Sequence, residues 1–366
     1  MKVLMLIDSI DIGGAETHLI NLVKKLKENN VTPFVVSNGG IYERNLIKQN
    51  IKHYKLPVMS KNPIYFLKNI YKIRSIVKQK NIDIIHAHGR LPSFLGECVS
   101  KGINVKFMTT AHAKVENESF YKYITTYGEN VISVSEDIKN YIVDKFDVQK
   151  EKIQVIPNGI DTDEFKDNLN KKVIKDLNLK DDTVKILSLS RMDDKLAQIA
   201  IDLIDILKED KRFELIIVGD GNRFSEIKDK SKTFENIKVL GKRTDISKLM
   251  GLSDLVVAVS RSALEALSCE KMVILAGGEG YLGFFRENLL NKAIEDNFTG
   301  RNSSLNYSKE NLKKDIDYYL DIKNTKKEKK LKKFNRKVVK KYYSLDKMVK
   351  KTINNYNYFL NERSNK

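Results

Sequence analysis

The sequence has 366 residues, of which 41% are hydrophobic and 31% are charged, and a formal net charge of +18. This balance is typical of a globular protein with two domains and argues against disordered and fibrous chains. The apolar start ends at Asp8, which is too short for a secretory signal or a membrane span, and Cys98 and Cys269 match no zinc or redox spacing. We therefore expect a cytoplasmic protein.

Short apolar runs alternate with helical patterns along the whole chain. The first half predicts the strands KVLMLI, VTPFVVS, IDIIHAH, VKFMTTAH, NVISVS and IQVIPNG. Helical patterns include residues 16–30, 135–146 and 246–252, and the second half predicts the strands VKILSLS, FELIIVGDG, IKVLG, LVVAVS and MVILAGG. Uniformly apolar strands separated by helices indicate parallel sheets covered on both faces. Two such series predict an α/β fold with two doubly wound, Rossmann-like domains that face a central cleft.

The boundary between the domains is predicted in the turn-rich segment 157–165, which gives domains of residues 1–163 and 164–340. Asp161 and Asp163 belong to that turn, and we interpret them as turn and helix-cap residues rather than metal ligands.

The net charge is concentrated near the C-terminus. Residues 311–366 contain eighteen Lys and Arg against six Asp and Glu, a net charge of +12. Apolar and basic positions alternate there at helical spacing, which predicts one or two basic amphipathic helices. Either an anionic membrane surface or a general richness in lysine explains this segment. We expect no nucleic-acid partner, because base-stacking aromatic residues interleaved with a basic groove are absent.

Several loops after predicted strands have residues suited to a phosphorylated ligand. Gly13 and Gly14 precede a helix, where ligand phosphate or hydroxyl groups can approach backbone N–H groups. Arg191 follows a strand and Lys195 stands four residues later, a pair of cations that suits a diphosphate. Gly219 begins another glycine turn, but the third glycine of a dinucleotide fingerprint is missing. Enzymes of hydride transfer are therefore excluded.

Histidine is the other reactive side chain near these strand ends. His86 and His88 fall on one face of a predicted strand, as two ligands of a metal would. The sequence offers no evident third ligand, so a structural role is favoured and no metal is expected. His112 ends the next strand and is the better candidate for contact with a substrate.

Glu265 is the unusual residue of the helix predicted to begin at Ser260. It lies near the helix start, with no Lys or Arg three or four residues downstream. One explanation is a favourable interaction with the helix dipole. The other explanation is that Glu265 binds a ligand.

Eight segments occur in the order typical of family 4 glycosyltransferases. They are GGAETHLINLVKKL, DIIHAHG, VISVSEDI, VIPNGIDTDEF, LSLSRMD, LIIVGDGN, VLGKRTDI and SRSALEAL. The chain resembles these retaining enzymes of the GT-B fold over nearly its whole length. The resemblance implies transfer of a sugar from a nucleotide-diphosphate sugar to a glycan, lipid or surface-polymer acceptor, as in polysaccharide and cell-envelope biosynthesis, without a metal or another cofactor.

The resemblance also assigns roles to residues. It implies that Arg191, Lys195 and His112 form the catalytic set, with Arg191 on the diphosphate and His112 beside the donor sugar. Glu265 would accept hydrogen bonds from the ribose hydroxyls. The implied donor-binding set is Gly13, Gly14, Gly219, Arg261, Ser262 and Glu265. Residues 341–366 would form a basic helix that packs back on the first domain.

Three positions depart from the family pattern. The first of two paired glutamates is replaced by Val257, and the usual phosphate-binding lysine position holds Leu196, with Lys195 beside it. Glu270 and Met272 stand where many relatives have Gly and Pro. Two alternatives stay open. Leu196 and Val257 allow a catalytically weak relative that binds nucleotide sugars or glycans in an assembly, and the double strand series with VIPNGID also fits a two-domain sugar-nucleotide epimerase, although SRSALEAL favours transfer. If the basic C-terminal segment binds lipid, we expect the protein at the inner face of the cell membrane.

Overall fold

The computed structural model describes residues 1–60, 62–115 and 121–361. The chain forms two compact units, one of Met1–Gly159 with Leu345–Lys366 and one of Ile160–Ser344. The predicted boundaries after residues 163 and 340 lie near these divisions. We call the two units the N-terminal unit and the C-terminal unit.

The N-terminal unit contains a parallel sheet of seven strands in the order β3-β2-β1-β4-β5-β6-β7. The strands are β1 (Lys2–Ile7), β2 (Thr32–Ser37), β3 (Lys52–Lys55), β4 (Ile84–His88), β5 (Lys106–Ala111), β6 (Asn130–Ser133) and β7 (Ile153–Val155). The sequence did not predict β3, because this short edge strand is polar and contains no apolar run.

The C-terminal unit contains a second sheet in the order β10-β9-β8-β11-β12-β13. The strands are β8 (Val184–Leu189), β9 (Phe213–Val218), β10 (Ile237–Val239), β11 (Leu255–Ala258), β12 (Met272–Ala276) and β13 (Tyr281–Phe284). The first five are parallel, whereas β13 pairs antiparallel with β12. Pattern reasoning missed β13, which follows a glycine-rich turn directly and lacks the helix that separates the other strands.

Helices cover both faces of each sheet. They are α1 (Gly14–Glu28), α2 (Glu43–Lys48), α3 (Pro63–Lys80), α4 (Arg90–Ser100), α5 (Tyr121–Ile124), α6 (Glu136–Phe146), α7 (Lys171–Asp176), α8 (Asp194–Leu207), α9 (Phe224–Ser231), α10 (Ile246–Leu252), α11 (Ser260–Ser268), α12 (Leu290–Glu295), α13 (Lys309–Ile322), α14 (Lys326–Val338) and α15 (Leu345–Asn361). Apolar strands flanked by these helices give each unit a core on both sides of its sheet. The prediction of two doubly wound α/β domains is confirmed.

The C-terminal basic segment is divided between the two cores. Leu331 and Val338 of α14 are buried in the C-terminal unit, and Met348 and Phe359 of α15 are buried beside α1 in the N-terminal unit. The apolar positions of these amphipathic helices therefore stabilise the fold. Within the described ranges, no helix combines the length and apolar character that crossing a bilayer requires.

Candidate active site

The sheet of the N-terminal unit has its topological switch point between β1 and β4. These neighbouring strands are separated by β2 and β3 in the chain, so the connections that leave them run in opposite directions. Ligands of doubly wound sheets bind at the carboxyl ends of such strands. Asp8 directly follows β1, and His88 is the last residue of β4.

The glycine loop after β1 has an open helix start beside two carboxyl groups. A Cβ at Gly14 would meet nothing within 4 Å, whereas one at Gly13 would come within 2.0 Å of Glu16 Oε2. Burial, assisted by Glu16, raises the pKa of Asp8 to about 6. Burial is also the main reason why the pKa of Glu16 is raised. Carboxyl groups accept hydrogen bonds and repel anions, so the surroundings of Gly13 and Gly14 suit sugar hydroxyls better than phosphate.

Histidines from three elements meet at the same switch point. The ring nitrogens of His18 on α1, His88 on β4 and His112 after β5 lie within 4.8 Å of one another. His88 Nδ1 is 3.0 Å from His112 Nε2, and these two rings stack with centroids 5.3 Å apart. Burial lowers the pKa of His112 to about 4 and that of His88 well below its usual range. All three residues could hold a transition metal, because neutral imidazoles are its usual ligands.

His18 is the ligand that the sequence did not reveal. It lies in α1, far from His88 in the chain, and only the tertiary structure brings the two rings together, with centroids 5.7 Å apart. The sequence pattern therefore did not reveal that His88 has two histidine neighbours, His18 and His112.

His86 has a structural role. Its Nδ1 lies 2.7 Å from the Tyr356 hydroxyl of α15, and its Nε2 lies 2.7 Å from Thr110 Oγ1. Both ring nitrogens are thus engaged inside the protein, and burial lowers the pKa of His86 to about 3. The hydrogen bond between His86 and Tyr356 helps to attach α15 to the first sheet.

The switch point of the second sheet lies between β8 and β11. Arg191 follows β8, and Lys195 lies in the first turn of α8. Both side chains are exposed, and within the described chain neither forms an ion pair. Leu196 is only half-buried, and its Cγ lies 3.4 Å from the position of a Cβ at Gly278. Two cations without a protein anion at a switch point are suited to binding a diphosphate.

Gly219 has a packing role at the end of β9. Its φ is +146°, and a Cβ there would come within 1.8 Å of the Ser190 carbonyl oxygen. The two loops bind each other, since Met192 N donates to Asp220 O and Asn222 N donates to Asp193 Oδ1. The loop that positions Arg191 therefore requires a glycine at this site.

The first turns of α11 contain a buried ion pair. Arg261 Nε lies 2.8 Å from Glu265 Oε1, and both side chains are buried. Burial raises the pKa of Glu265, and Arg261 opposes this effect. Glu265 therefore has a basic partner one turn upstream, although the sequence has none downstream. Ser262, between them, is half-buried.

The two units match two parts of one enzyme family. The family described as "Glycosyltransferase Family 4" matches residues 12–164, and "Glycosyl transferases group 1" matches residues 170–338. This chain belongs to the family 4 glycosyltransferases and has the GT-B fold. It is 28% identical over 305 residues to an uncharacterized glycosyltransferase of Methanocaldococcus jannaschii, an alignment that covers 75% of this chain and 81% of the relative.

Two solved structures are similar to this chain over nearly its whole length. A glycosyltransferase from Rickettsia africae is 26% identical with a TM-score of 0.80, and 98% of each chain is covered. HepE of Anabaena, crystallised with UDP-glucose, is 18% identical with a TM-score of 0.73, and the alignment covers 97% of this chain and 99% of HepE.

The predicted residues of this glycosyltransferase fall into two groups. His112, Gly13 and Gly14 surround the switch point of the N-terminal unit. The second group belongs to the C-terminal unit and consists of Arg191, Lys195, Gly219, Arg261, Ser262 and Glu265. Asp8, Glu16 and His18 join the first group without having been predicted. An Asp after the first strand was the signal that could have identified one of them.

Proposed function

We propose that this glycosyltransferase is a retaining enzyme that transfers a sugar from a nucleotide-diphosphate sugar to a glycan, lipid or surface-polymer acceptor. The observation that carries the proposal is the pair of exposed cations, Arg191 and Lys195, after β8. The co-crystallisation of HepE with UDP-glucose supports a nucleotide sugar as the donor.

In the proposed reaction the bond between the anomeric carbon and the diphosphate oxygen breaks, and both electrons leave with the diphosphate. Arg191 binds that group with its guanidinium fork, and Lys195 adds a point charge. Cations held in place before the reaction stabilise the negative charge that develops in the transition state. The acceptor hydroxyl attacks from the face that the diphosphate leaves, which retains the configuration, and its proton passes to the departing phosphate.

The remaining residues position the donor. Glu265 accepts hydrogen bonds from the ribose hydroxyls, and its ion pair with Arg261 opposes the effect of burial, which raises the pKa of Glu265. Ser262 and the backbone at Gly219 complete the nucleotide side. His112, Gly13 and Gly14 contact sugar hydroxyls, which neutral imidazole and open backbone N–H groups can bind. No metal has a part in this scheme.

A second candidate is a weakened enzyme that binds nucleotide sugars in an assembly. Leu196 favours it, because an apolar, half-buried side chain occupies the position where relatives have a phosphate-binding lysine. Leu196→Lys separates the two candidates, since it should raise turnover only where a cation is missing.

A thermal-shift screen with UDP-, GDP- and ADP-sugars tests the proposal. A ligand that binds only the folded state raises the apparent stability by mass action, by about 2.7 kcal/mol at one hundred times its Kd. We expect one class of nucleotide sugar to raise the melting temperature. The same ligand should raise the melting temperature of the Arg191→Ala variant by less. No response to any nucleotide sugar by a folded protein would contradict both candidates.

A further inference from the structure

The outward face of α3 is apolar although nothing in the described chain covers it. Ile64, Leu67 and Tyr71 are 62%, 66% and 79% exposed. Their spacing places them on one stripe along the first two turns. The opposite face of the helix is also apolar, with Ile73 and Val77 buried in the N-terminal unit. The helix therefore has one more apolar face than its fold requires.

The charge of α3 has a single sign. Its residues 63–80 include Lys68, Lys72, Arg74, Lys78 and Lys80 and no Asp or Glu. Arg74 donates hydrogen bonds to three backbone carbonyls at the end of α4 and the turn after it, so it serves the fold. The lysines are exposed, and none of them forms an ion pair with a described residue.

Lys68 and Lys72 border the apolar stripe. Each stands one position after a stripe residue, Leu67 or Tyr71, and Lys68 Nζ lies 5.9 Å from the ring centroid of Tyr65. Tyr65 is itself 48% exposed. Long cationic side chains beside tyrosines and aliphatic residues are typical of helices that lie in a membrane interface, where the charged ends reach lipid phosphates.

We propose that α3 docks on an anionic lipid membrane. Ile64, Leu67 and Tyr71 enter the boundary between headgroups and acyl chains, and Lys68 and Lys72 contact the lipid phosphates. The charge favours lipid over a protein groove, since a helix with four exposed lysines and no acid complements a uniformly anionic surface. Asn62, whose side chain accepts a hydrogen bond from Ile64 N, caps the helix and keeps the stripe formed before it binds.

The lysine-rich α14 lacks what such docking needs. Its Leu331 and Val338 are buried in the C-terminal unit, and Phe334 is half-buried against the same core. Its exposed surface is made of lysines, with no exposed large apolar side chain among residues 326–338. This helix can attract anionic lipid but has nothing to insert. For the C-terminal segment the sequence left a membrane surface and a general richness in lysine as alternatives, and the proposal places the inserting contact on α3 instead.

The absence of tryptophan from the sequence makes a direct test available. Tyr71→Trp introduces one fluorophore on the stripe, and Tyr342→Trp introduces one after α14, where Tyr342 is 40% exposed. With vesicles of phosphatidylglycerol, we expect a blue shift and quenching by lipids brominated in their acyl chains for Tyr71→Trp alone. The proposal is overturned if only the Tyr342→Trp protein responds, or if neither does.

Flotation of the full chain with the same vesicles separates the contribution of the apolar stripe to membrane binding from that of the lysines. Leu67→Ser with Tyr71→Ser should reduce partitioning about tenfold or more, because two large apolar side chains no longer leave water. Ile47→Ser, at a 73% exposed site on α2, is the matched control and should change nothing. Lys68→Gln with Lys72→Gln should weaken partitioning about fivefold for each lysine. Lys329→Gln with Lys333→Gln removes the same charge from α14 and should have a smaller effect.

Other results would overturn the proposal. Equal partitioning to neutral phosphatidylcholine vesicles would show that Lys68 and Lys72 do not select an anionic membrane. Self-association in sedimentation that Leu67→Ser abolishes, without vesicle binding, would identify the stripe as a protein interface. Neither measurement needs a sugar donor or acceptor, so the outcome is independent of the proposed transfer reaction.

Discussion

The two switch points share a topology but differ in charge. In the N-terminal unit the strand ends hold buried neutral imidazoles and a carboxyl whose pKa is raised to about 6. In the C-terminal unit the corresponding position holds the exposed cations Arg191 and Lys195 and the buried Arg261–Glu265 pair. A doubly wound sheet therefore specifies where a ligand binds, and the residues after each strand specify which chemical group binds. We expect sugar hydroxyls at the first point and diphosphate with ribose at the second.

Loss of a cation at the second switch point should have the largest effect. Arg191→Ala should reduce turnover about 10²–10³-fold, or roughly 2.7–4 kcal/mol, since one preorganised transition-state donor is lost. Lys195→Ala should reduce turnover to a similar extent if Lys195 replaces the phosphate-binding lysine that the family pattern has at the position of Leu196. Steady-state kinetics with nucleotide titration should show that affinity falls less than turnover.

Lys211→Ala is the control for these two variants, because it removes an exposed lysine of the same unit away from the strand end. If both Arg191→Ala and Lys195→Ala kept full turnover, the leaving group would not be bound at this switch point.

Removal of the Glu265 charge should have the next largest effect. Glu265→Gln should weaken nucleotide binding by about 1.5–3 kcal/mol, the usual value of hydrogen bonds to a charged group. Glu265→Ala should destabilise the fold more than Glu265→Gln, by up to about 3–5 kcal/mol, because the glutamine amide oxygen can still accept a hydrogen bond from Arg261 and alanine cannot. Calorimetry of nucleotide binding and thermal unfolding would separate the two effects. Unchanged affinity in folded Glu265→Gln would contradict the ribose assignment.

The neutral histidines of the first switch point predict instability in acid. The folded-state pKa values of His86 and His112 are about 3 and about 4, below the usual 6.5, so the unfolded chain binds protons that the folded chain does not. Stability should therefore fall as the pH decreases from about 6.5 towards 4, by up to about 1.4 kcal/mol per pH unit for each histidine.

Asp8 acts in the opposite direction below about pH 6, since its raised pKa makes the folded chain bind a proton more tightly. Denaturant unfolding at a series of pH values measures the sum. His86→Asn should flatten the profile, and a profile of the native protein that rises towards acid would contradict the neutral cluster.

The smallest effect should be that of a chelator. Transfer should continue in EDTA, because Arg191 and Lys195 supply the positive charge at the diphosphate. The histidine trio makes this a strict test, since it offers three ligands to a metal. Activity that is lost in EDTA, and restored in wild type but not in His18→Ala by a divalent metal, would show that the first switch point is not metal-free.

Much of the candidate site could be predicted because its residues follow apolar strands directly. Arg191, His112 and Gly14 were identified from one local pattern each. The partner of Glu265 is also local, but Arg261 lies one turn upstream, whereas the expectation of no basic partner concerned only downstream positions. Asp8 follows the first strand and could have been identified in the same way, whereas the significance of His18 depends on which distant elements become neighbours.

The sequence by itself determined the alternation of strands and helices, the two domains and the chemistry of the loops after the strands. These features depend on local periodicity and turn residues, which are read within a few positions. Only the tertiary structure decided that four histidines share one cluster, and that α14 buries its apolar residues while α3 exposes Ile64, Leu67 and Tyr71. The physical reason is that burial depends on which distant element packs against a face, and an apolar stripe has the same spacing whether it is covered or not.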